Sequence, residues 1–331
     1  MSPINALFAF DPSIDPGGFA RNCKEWGIDT PILHAGFFQN DAMRRALAAE
    51  RLDLWLNIPA FFDQGYLERH PDAYAITSLG RRAVHEWLHF ICPSQDAYVD
   101  KLVKDVQGLL ARSHPTVVSL DFIRHFVFWE GVRLDGGPDV IEDGCYCPTC
   151  LRRFEKAAGE RVDPRDPARD LRGRLRAAWA DWKCRRIEEV TERLLVEIRY
   201  LADGARLAIK TVPWSPSDLE GAIRWSAGQD LSRLTRGLDL VSPMAFTHIL
   251  HQTPEWKQRL LRDVQRSTGK PVLSYVQVDK VYRTEEITTA QFEAELQEAT
   301  SSDYAGLAVF HYDQLVANPD KAQLLRARLR V

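Results

Sequence analysis

The sequence predicts an α/β chain folded as a single (β/α)8 TIM barrel, residues 1–331, with long loops after strands three and four. Three observations lead there. Eight short apolar, β-rich runs recur, most of them continuous rather than alternating, as parallel strands covered on both faces require. Amphipathic segments follow these runs, giving about as many helices as strands. Finally, Phe10-Asp11-Pro12-Ser13 follows the first run, where an open doubly wound sheet would want a glycine-rich phosphate loop.

The predicted strands are Leu7–Phe10, Pro31–Phe37, Leu52–Ile58, Val117–Phe122, Arg206–Val212, Leu238–Phe246, Val272–Val278 and Ala305–Phe310. The helical patterns fall at Gly18–Trp26, Asp41–Glu50, Gln95–Ser113, Asp170–Leu201, Leu231–Arg236, Glu255–Arg266, Ala290–Thr300 and Lys321–Leu329. Asn318-Pro319-Asp320 starts the last of them, Gly27 and Gly204 act as stops, and Gly269-Lys270-Pro271 breaks the chain before strand seven. The surplus length lies in Phe61–Cys92 and Phe126–Asp170, both beyond carboxyl ends of strands, where barrel active sites are built.

Composition narrows the function classes. Hydrophobic residues make up 45% of the 331, enough for a full core, and the net charge of −3 comes from interspersed acids and bases. No basic face suggests nucleic acid, and no apolar run or polybasic anchor suggests a membrane. Met1 and Ser2 lead into the apolar run Ile4–Phe10 without a basic leader region, so the expected location is cytoplasmic. Composition leaves a homo-oligomer open. No Gly-x-Ser-x-Gly elbow and no phosphate loop supports a serine hydrolase or a nucleotide-dependent enzyme.

The six cysteines are unevenly placed. Cys145, Cys147 and Cys150 lie close enough to chelate one tetrahedral ion, and structural zinc usually takes four protein ligands. Cys92, opening Cys92-Pro93-Ser94 on the neighbouring long loop, is the expected fourth. Zn2+ would then be a structural cofactor stapling the two loops within a region spanning about residues 85–160. Cys23 and Cys184 sit on helical patterns and read as plain buried thiols.

Cys145-Tyr146-Cys147-Pro148-Thr149-Cys150-Leu151-Arg152-Arg153-Phe154, with Cys92-Pro93-Ser94 upstream, resembles the zinc loop of bacterial β-galactosidases of glycoside hydrolase family forty-two. The likeness runs from Trp87 to Phe154 and ends at the chemistry. That family carries an Asn-Glu pair at the end of strand four and a Glu near strand seven. This chain has Leu120-Asp121-Phe122-Ile123-Arg124 and Ser274-Tyr275-Val276-Gln277-Val278-Asp279 there. Leu120-Asp121-Phe122-Ile123-Arg124-His125 and Val241-Ser242-Pro243-Met244-Ala245-Phe246 also resemble strands of uncharacterised, glycosidase-like barrel families. These resemblances imply a glycoside-hydrolase-like barrel acting on a carbohydrate.

The residues themselves nominate a carboxylate site. Asp121 interrupts an apolar strand, where a carboxylate is costly unless paired or used, and Arg124 is its expected partner. Glu130 follows Trp129, a setting that raises a carboxyl pKa as a general acid needs. Asp279 beyond strand seven is the other candidate second carboxylate. Lys210, at the end of strand five, is expected to point at a substrate oxygen or at Asp121, and Gln277, at the end of strand seven, is expected to contact substrate. So are His34, His248 and His311, at or near the ends of strands two, six and eight. Trp214, Tyr275 and Tyr312 are expected to stack on a sugar ring or to plug the barrel mouth. Two alternatives stay open: a non-catalytic carbohydrate-binding barrel, and a lyase or isomerase using Lys210, His248 or His311 as acid and base.

Overall fold

The computed structural model describes residues 3–281, 285–301 and 303–330. The chain begins with β1 (Ile4–Phe8) and α1 (Pro16–Trp26), a helix started by Asp15, whose carboxylate accepts from Gly18 N at 2.6 Å. Gly27 stops it in the left-handed region at φ 80°. Next come β2 (Thr30–Leu33), α2 (Ala42–Ala49), β3 (Trp55–Pro59), α3 (Asp96–Ser113) and β4 (Val117–Asp121). The second half holds α4 (Pro148–Ala158), α5 (Arg176–Leu201), β5 (Arg206–Thr211), β6 (Leu240–Pro243) and α6 (Pro254–Thr268). It ends with β7 (Leu273–Gln277), α7 (Thr289–Ser301), β8 (Gly306–Phe310) and α8 (Pro319–Leu329).

All eight strands pair in parallel, in the order β6-β5-β4-β3-β2-β1-β8-β7. A bridge between Val241 and Val272, with Val241 N donating to Pro271 O at 3.0 Å, joins β6 to the start of β7 and closes the ring. The fold is the expected (β/α)8 barrel. The strands are almost wholly buried, because side chains on one face fill the barrel and those on the other meet the helices.

Several predicted boundaries change: β1 is Ile4–Phe8 rather than Leu7–Phe10, β3 starts at Trp55 rather than Leu52, and β6 ends at Pro243 rather than Phe246. The expected strand Pro31–Phe37 ends at Leu33, since His34 turns the chain by accepting from Gly36 N through Nδ1 at 3.1 Å. The single helix expected over Asp170–Leu201 is two, Pro167–Arg172 and α5, separated at Gly173. The loop after β3 carries a short helix, Gln64–Arg69, and a hairpin of Val84–His85 with Leu88–His89. The loop after β4 carries two short 3-10 turns, Trp129–Gly131 and Pro138–Val140, before α4, where Cys147 caps the helix.

That second loop is tied to α5 by a buried polar knot. Asp143, fully buried, accepts from the fully buried ammonium of Lys183, from the Arg172 guanidinium and from the Tyr146 hydroxyl at 3.0 Å. Lys183 also donates to Trp225 O and Ser226 O at 3.2 and 3.3 Å, so both charges are satisfied.

Barrel closure also depends on Gly306, which opens β8 at φ +144°, where a Cβ would lie 2.0 Å from Ile4 O on β1. Gly306→Ala therefore has to force β1 and β8 apart. It is expected to destabilise the protein by about 3 kcal/mol or more, read as a lower midpoint in urea unfolding. An unchanged midpoint would show that the β1–β8 seam does not require glycine.

Candidate active site

Asp121 is the last residue of β4, and its position fixes a polar string across three strands. Ser119 Oγ donates to Asn57 Oδ1 at 2.7 Å, and Asn57 Nδ2 donates to Asp121 Oδ2 at 3.1 Å. Lys210 on β5 donates to the same oxygen at 3.2 Å. The other oxygen, Oδ1, accepts from Phe122 N at 2.8 Å, where the backbone turns at φ 50°. Register explains the meeting, since Asp121 stands beside Pro59 on β3 while Leu120 stands beside Ile209 on β5. Asn57 was not among the expected site residues. Its signal was an amide inside the apolar run Trp55-Leu56-Asn57-Ile58.

The Lys210 ammonium lies 4.1 Å from the centre of the Phe8 ring, a cation–π contact in a dry setting. Burial pulls its pKa down, and the attraction of Asp121 and the hydrogen bond to it pull the other way.

Above this pair lies a cavity of about 340 Å3. Phe8, Phe10 and Phe310 form the wall from β1 and β8; Phe246 and Tyr275 form the wall beyond β6 and on β7. The two long loops supply Phe62 and Trp87 after β3, and Phe122, Trp129 and Glu130 after β4, and Met244, Ile249 and Val281 complete the lining. Tyr275 shares a 2.6 Å hydrogen bond with Ser242; burial pushes its phenol well above the ordinary range. Asp121, Lys210, Glu130 and Tyr275 are thus brought together.

Arg124 is placed otherwise than expected. It makes no ion pair with Asp121. Its guanidinium donates to the carbonyls of His125 and Val127 at 3.2 and 2.8 Å and lies over the Phe90 and Phe122 rings. Burial pushes its pKa down to about 10, against the attraction of Glu130 and Asp121.

Several expected residues lie outside the cavity lining. The Asp279 carboxylate caps its own loop, accepting from Lys280 N at 2.8 Å and from Asn318 Nδ2 at 3.2 Å. Gln277 donates to Asp279 O at 2.9 Å. His34 joins Phe10 O through Nε2 at 2.9 Å. His248 faces the Glu295 carboxylate at 3.4 Å, and His311 faces Asp313 at 3.4 Å. Burial lowers the pKa of both imidazoles; Lys257 and Lys321 add to it at His248, and Asp313 opposes it at His311. Trp214 is fully buried, and Tyr312 accepts from Asn22 at 2.9 Å while packing on Phe19.

The cysteines meet as expected. The Sγ atoms of Cys92, Cys145, Cys147 and Cys150 all lie within 4.8 Å of one another, and all four residues are buried. Cys92 Sγ is 3.6 Å from that of Cys147 and 3.4 Å from that of Cys150. A tetrahedral ion bonded to four thiolates at ~2.3 Å sets sulfurs about 3.8 Å apart, so the donor set fits one. Backbone N–H groups already point at the sulfurs, from Ile76 to Cys145 at 3.3 Å and from Ser94 to Cys92 at 3.4 Å. Such donors stabilise thiolates bound to metal.

No family model and no curated protein matches the sequence. Solved structures do match its fold. The PgaB (BpsB) glycoside hydrolase domain from Bordetella bronchiseptica superposes with a TM-score of 0.72 at 16% identity, covering 99% of both chains. The β-galactosidase from the psychrophilic Marinomonas ef1 gives 0.71 at 10% identity, with 98% of this chain on 58% of that one. The β-galactosidase from Bacillus circulans sp. alkalophilus gives 0.70 at 11%, with 98% on 55%. The chain thus has a barrel fold shared with glycoside hydrolases; it spans the whole of the first and somewhat over half of each galactosidase.

The Asp121–Lys210 pair makes a stability prediction. Lys210→Met leaves a buried carboxylate without its cation, at a cost of about 3 kcal/mol. Adding Asp121→Asn should restore part of that loss. A double-mutant cycle by chemical denaturation measures the coupling, and additive losses would mean that the two charges do not act as a pair.

Proposed function

We propose that residues 1–331 form one barrel domain with the activity of a glycoside hydrolase, working on a carbohydrate substrate at the carboxyl mouth of the barrel. One observation carries the reading. A carboxylate stands at the end of β4, anchored by Asn57 and Lys210, under an aromatic cavity that also contains Glu130. Fold likeness to glycoside hydrolases supports it.

In this proposal Lys210 holds the Asp121 carboxylate in place through their ion pair. Asp121 serves as nucleophile or base, or steadies positive charge developing at the anomeric carbon. Glu130, next to Trp129, protonates the leaving oxygen. Asp279, engaged as a loop cap, takes no part. Asp121→Asn preserves the shape and an acceptor for Lys210 but removes the charge. Turnover of a responsive glycoside should fall by about 100-fold or more, while circular dichroism stays close to wild type and the unfolding midpoint falls, because the buried Lys210 ammonium loses its anion. Undiminished turnover would place the catalytic pair elsewhere.

The close contact of Lys210 with Asp121 favours a second reading, a lyase or isomerase in which the lysine moves a proton at carbon. Turnover in heavy water separates the two. An isomerase that reprotonates carbon leaves deuterium on a carbon of the product and a lyase leaves a new double bond, whereas glycoside hydrolysis adds only solvent oxygen at the anomeric centre.

The same proposal makes the cysteine cluster a structural zinc site with Cys92, Cys145, Cys147 and Cys150 as ligands. A closed set of four thiolates leaves no position for substrate, so the ion would hold loops rather than do chemistry. Elemental analysis should find about one zinc per chain. Stripping it with a chelator should expose the loops after β3 and β4 to proteolysis before the barrel unfolds. Metal-free protein with all six thiols freely reactive would refute the assignment.

A further inference from the structure

The cavity over Asp121 is unlike a site built to hold a bare sugar. Among the described residues that line it, only Asp121, Glu130 and Lys210 carry charged side chains. Lys210 already donates to Asp121 and lies against the Phe8 ring. Asp121 already accepts from Asn57, Lys210 and Phe122 N. The Tyr275 hydroxyl is shared with Ser242, leaving mainly its ring to face the cavity. A pyranose enclosed here would bring several hydroxyls and find few partners, and each buried hydroxyl left unpaired costs about 1–3 kcal/mol.

The polar groups are also confined to one side. Asp121, Lys210 and Glu130 come from β4, β5 and the loop between them. Across the cavity the surfaces are rings. Phe8 stacks at 5.7 Å on Phe10 and at 5.9 Å on Tyr275, and Phe246 meets Phe310 edge to face at 5.0 Å. Trp129, from the loop after β4, runs parallel to Phe246 within 7°, with centroids 6.5 Å apart. Flat apolar walls of this kind favour a flat apolar guest. Size agrees, since an apolar cavity of about 150 Å3 accommodates benzene and this one is about 340 Å3, enough for a two-ring group.

We propose that the cavity takes the planar aromatic aglycone of an aryl glycoside, with the glycosidic oxygen towards Asp121 and Glu130. This rests on the hydrolase reading for the sugar but not for the aromatic group, so the two can fail separately. The probe is 2-naphthol, titrated calorimetrically into the intact protein beside methyl β-glucoside. 2-Naphthol should bind at concentrations where methyl β-glucoside shows no heat. Trp87→Ala, at the half-exposed rim and therefore safe for folding, should weaken 2-naphthol binding about fivefold. Phe246→Ala, deeper in the wall, should weaken it further, with circular dichroism as the folding control. If 2-naphthol binds in this pattern but no glycoside is cleaved, the aromatic assignment holds and the hydrolase reading falls. If methyl glycosides are cleaved while 2-naphthol neither binds nor inhibits, the hydrolase reading holds and the aromatic assignment is overturned.

Discussion

The mouth of this barrel becomes a cavity only because two loops with little regular structure are held at a fixed height above it. The loop after β3 brings Phe62 and Trp87; the loop after β4 brings Phe122, Trp129 and Glu130. The first has only a short helix and a two-residue hairpin, and the second reaches α4 only beyond the residues that line the cavity. They are gathered instead at a cluster of four buried sulfurs, one from the first loop and three from the second. Below it, Asp143 joins Lys183 and Arg172 and fixes the second loop to α5. Buried charges are costly to leave unpaired, so this geometry has few alternatives.

Within the mouth the electrostatics are spare. One carboxylate, one ammonium and one amide form a continuous string from β3 to β5, and Glu130 stands above them. Asp121 and Lys210 are both buried beneath the rings of the cavity, where a lower effective dielectric strengthens their attraction. Burial opposes that attraction by disfavouring the lysine charge. The state of the pair is therefore sensitive to whatever enters the cavity.

Much of this was legible in the sequence. Continuous apolar runs required strands buried on both faces, and the helical patterns between them required parallel pairing. The spacing Cys145-x-Cys147-x2-Cys150 required a shared centre, and Cys92 sat on the only other long insertion. Asp121 stood out because a carboxylate within an apolar strand needs a partner. In each case the signal was local, either a periodicity or a residue whose burial would be unfavourable without compensation.

Tertiary structure decided the partners. Arg124, three residues from Asp121, turns to the carbonyls of His125 and Val127, while Lys210, 89 positions away, makes the ion pair. Asn57 joins them through strand register alone. Asp279, His248 and His311 lie beyond strand ends, whereas Asp121 is the last residue of its strand, and their side chains find partners outside the cavity lining. By itself the sequence determined which segments would be buried and which residues could not be buried alone. It did not determine which of two cations would pair with Asp121 or that Asn57 would join them, because strand register and the path of each loop arise from packing between segments far apart in the chain.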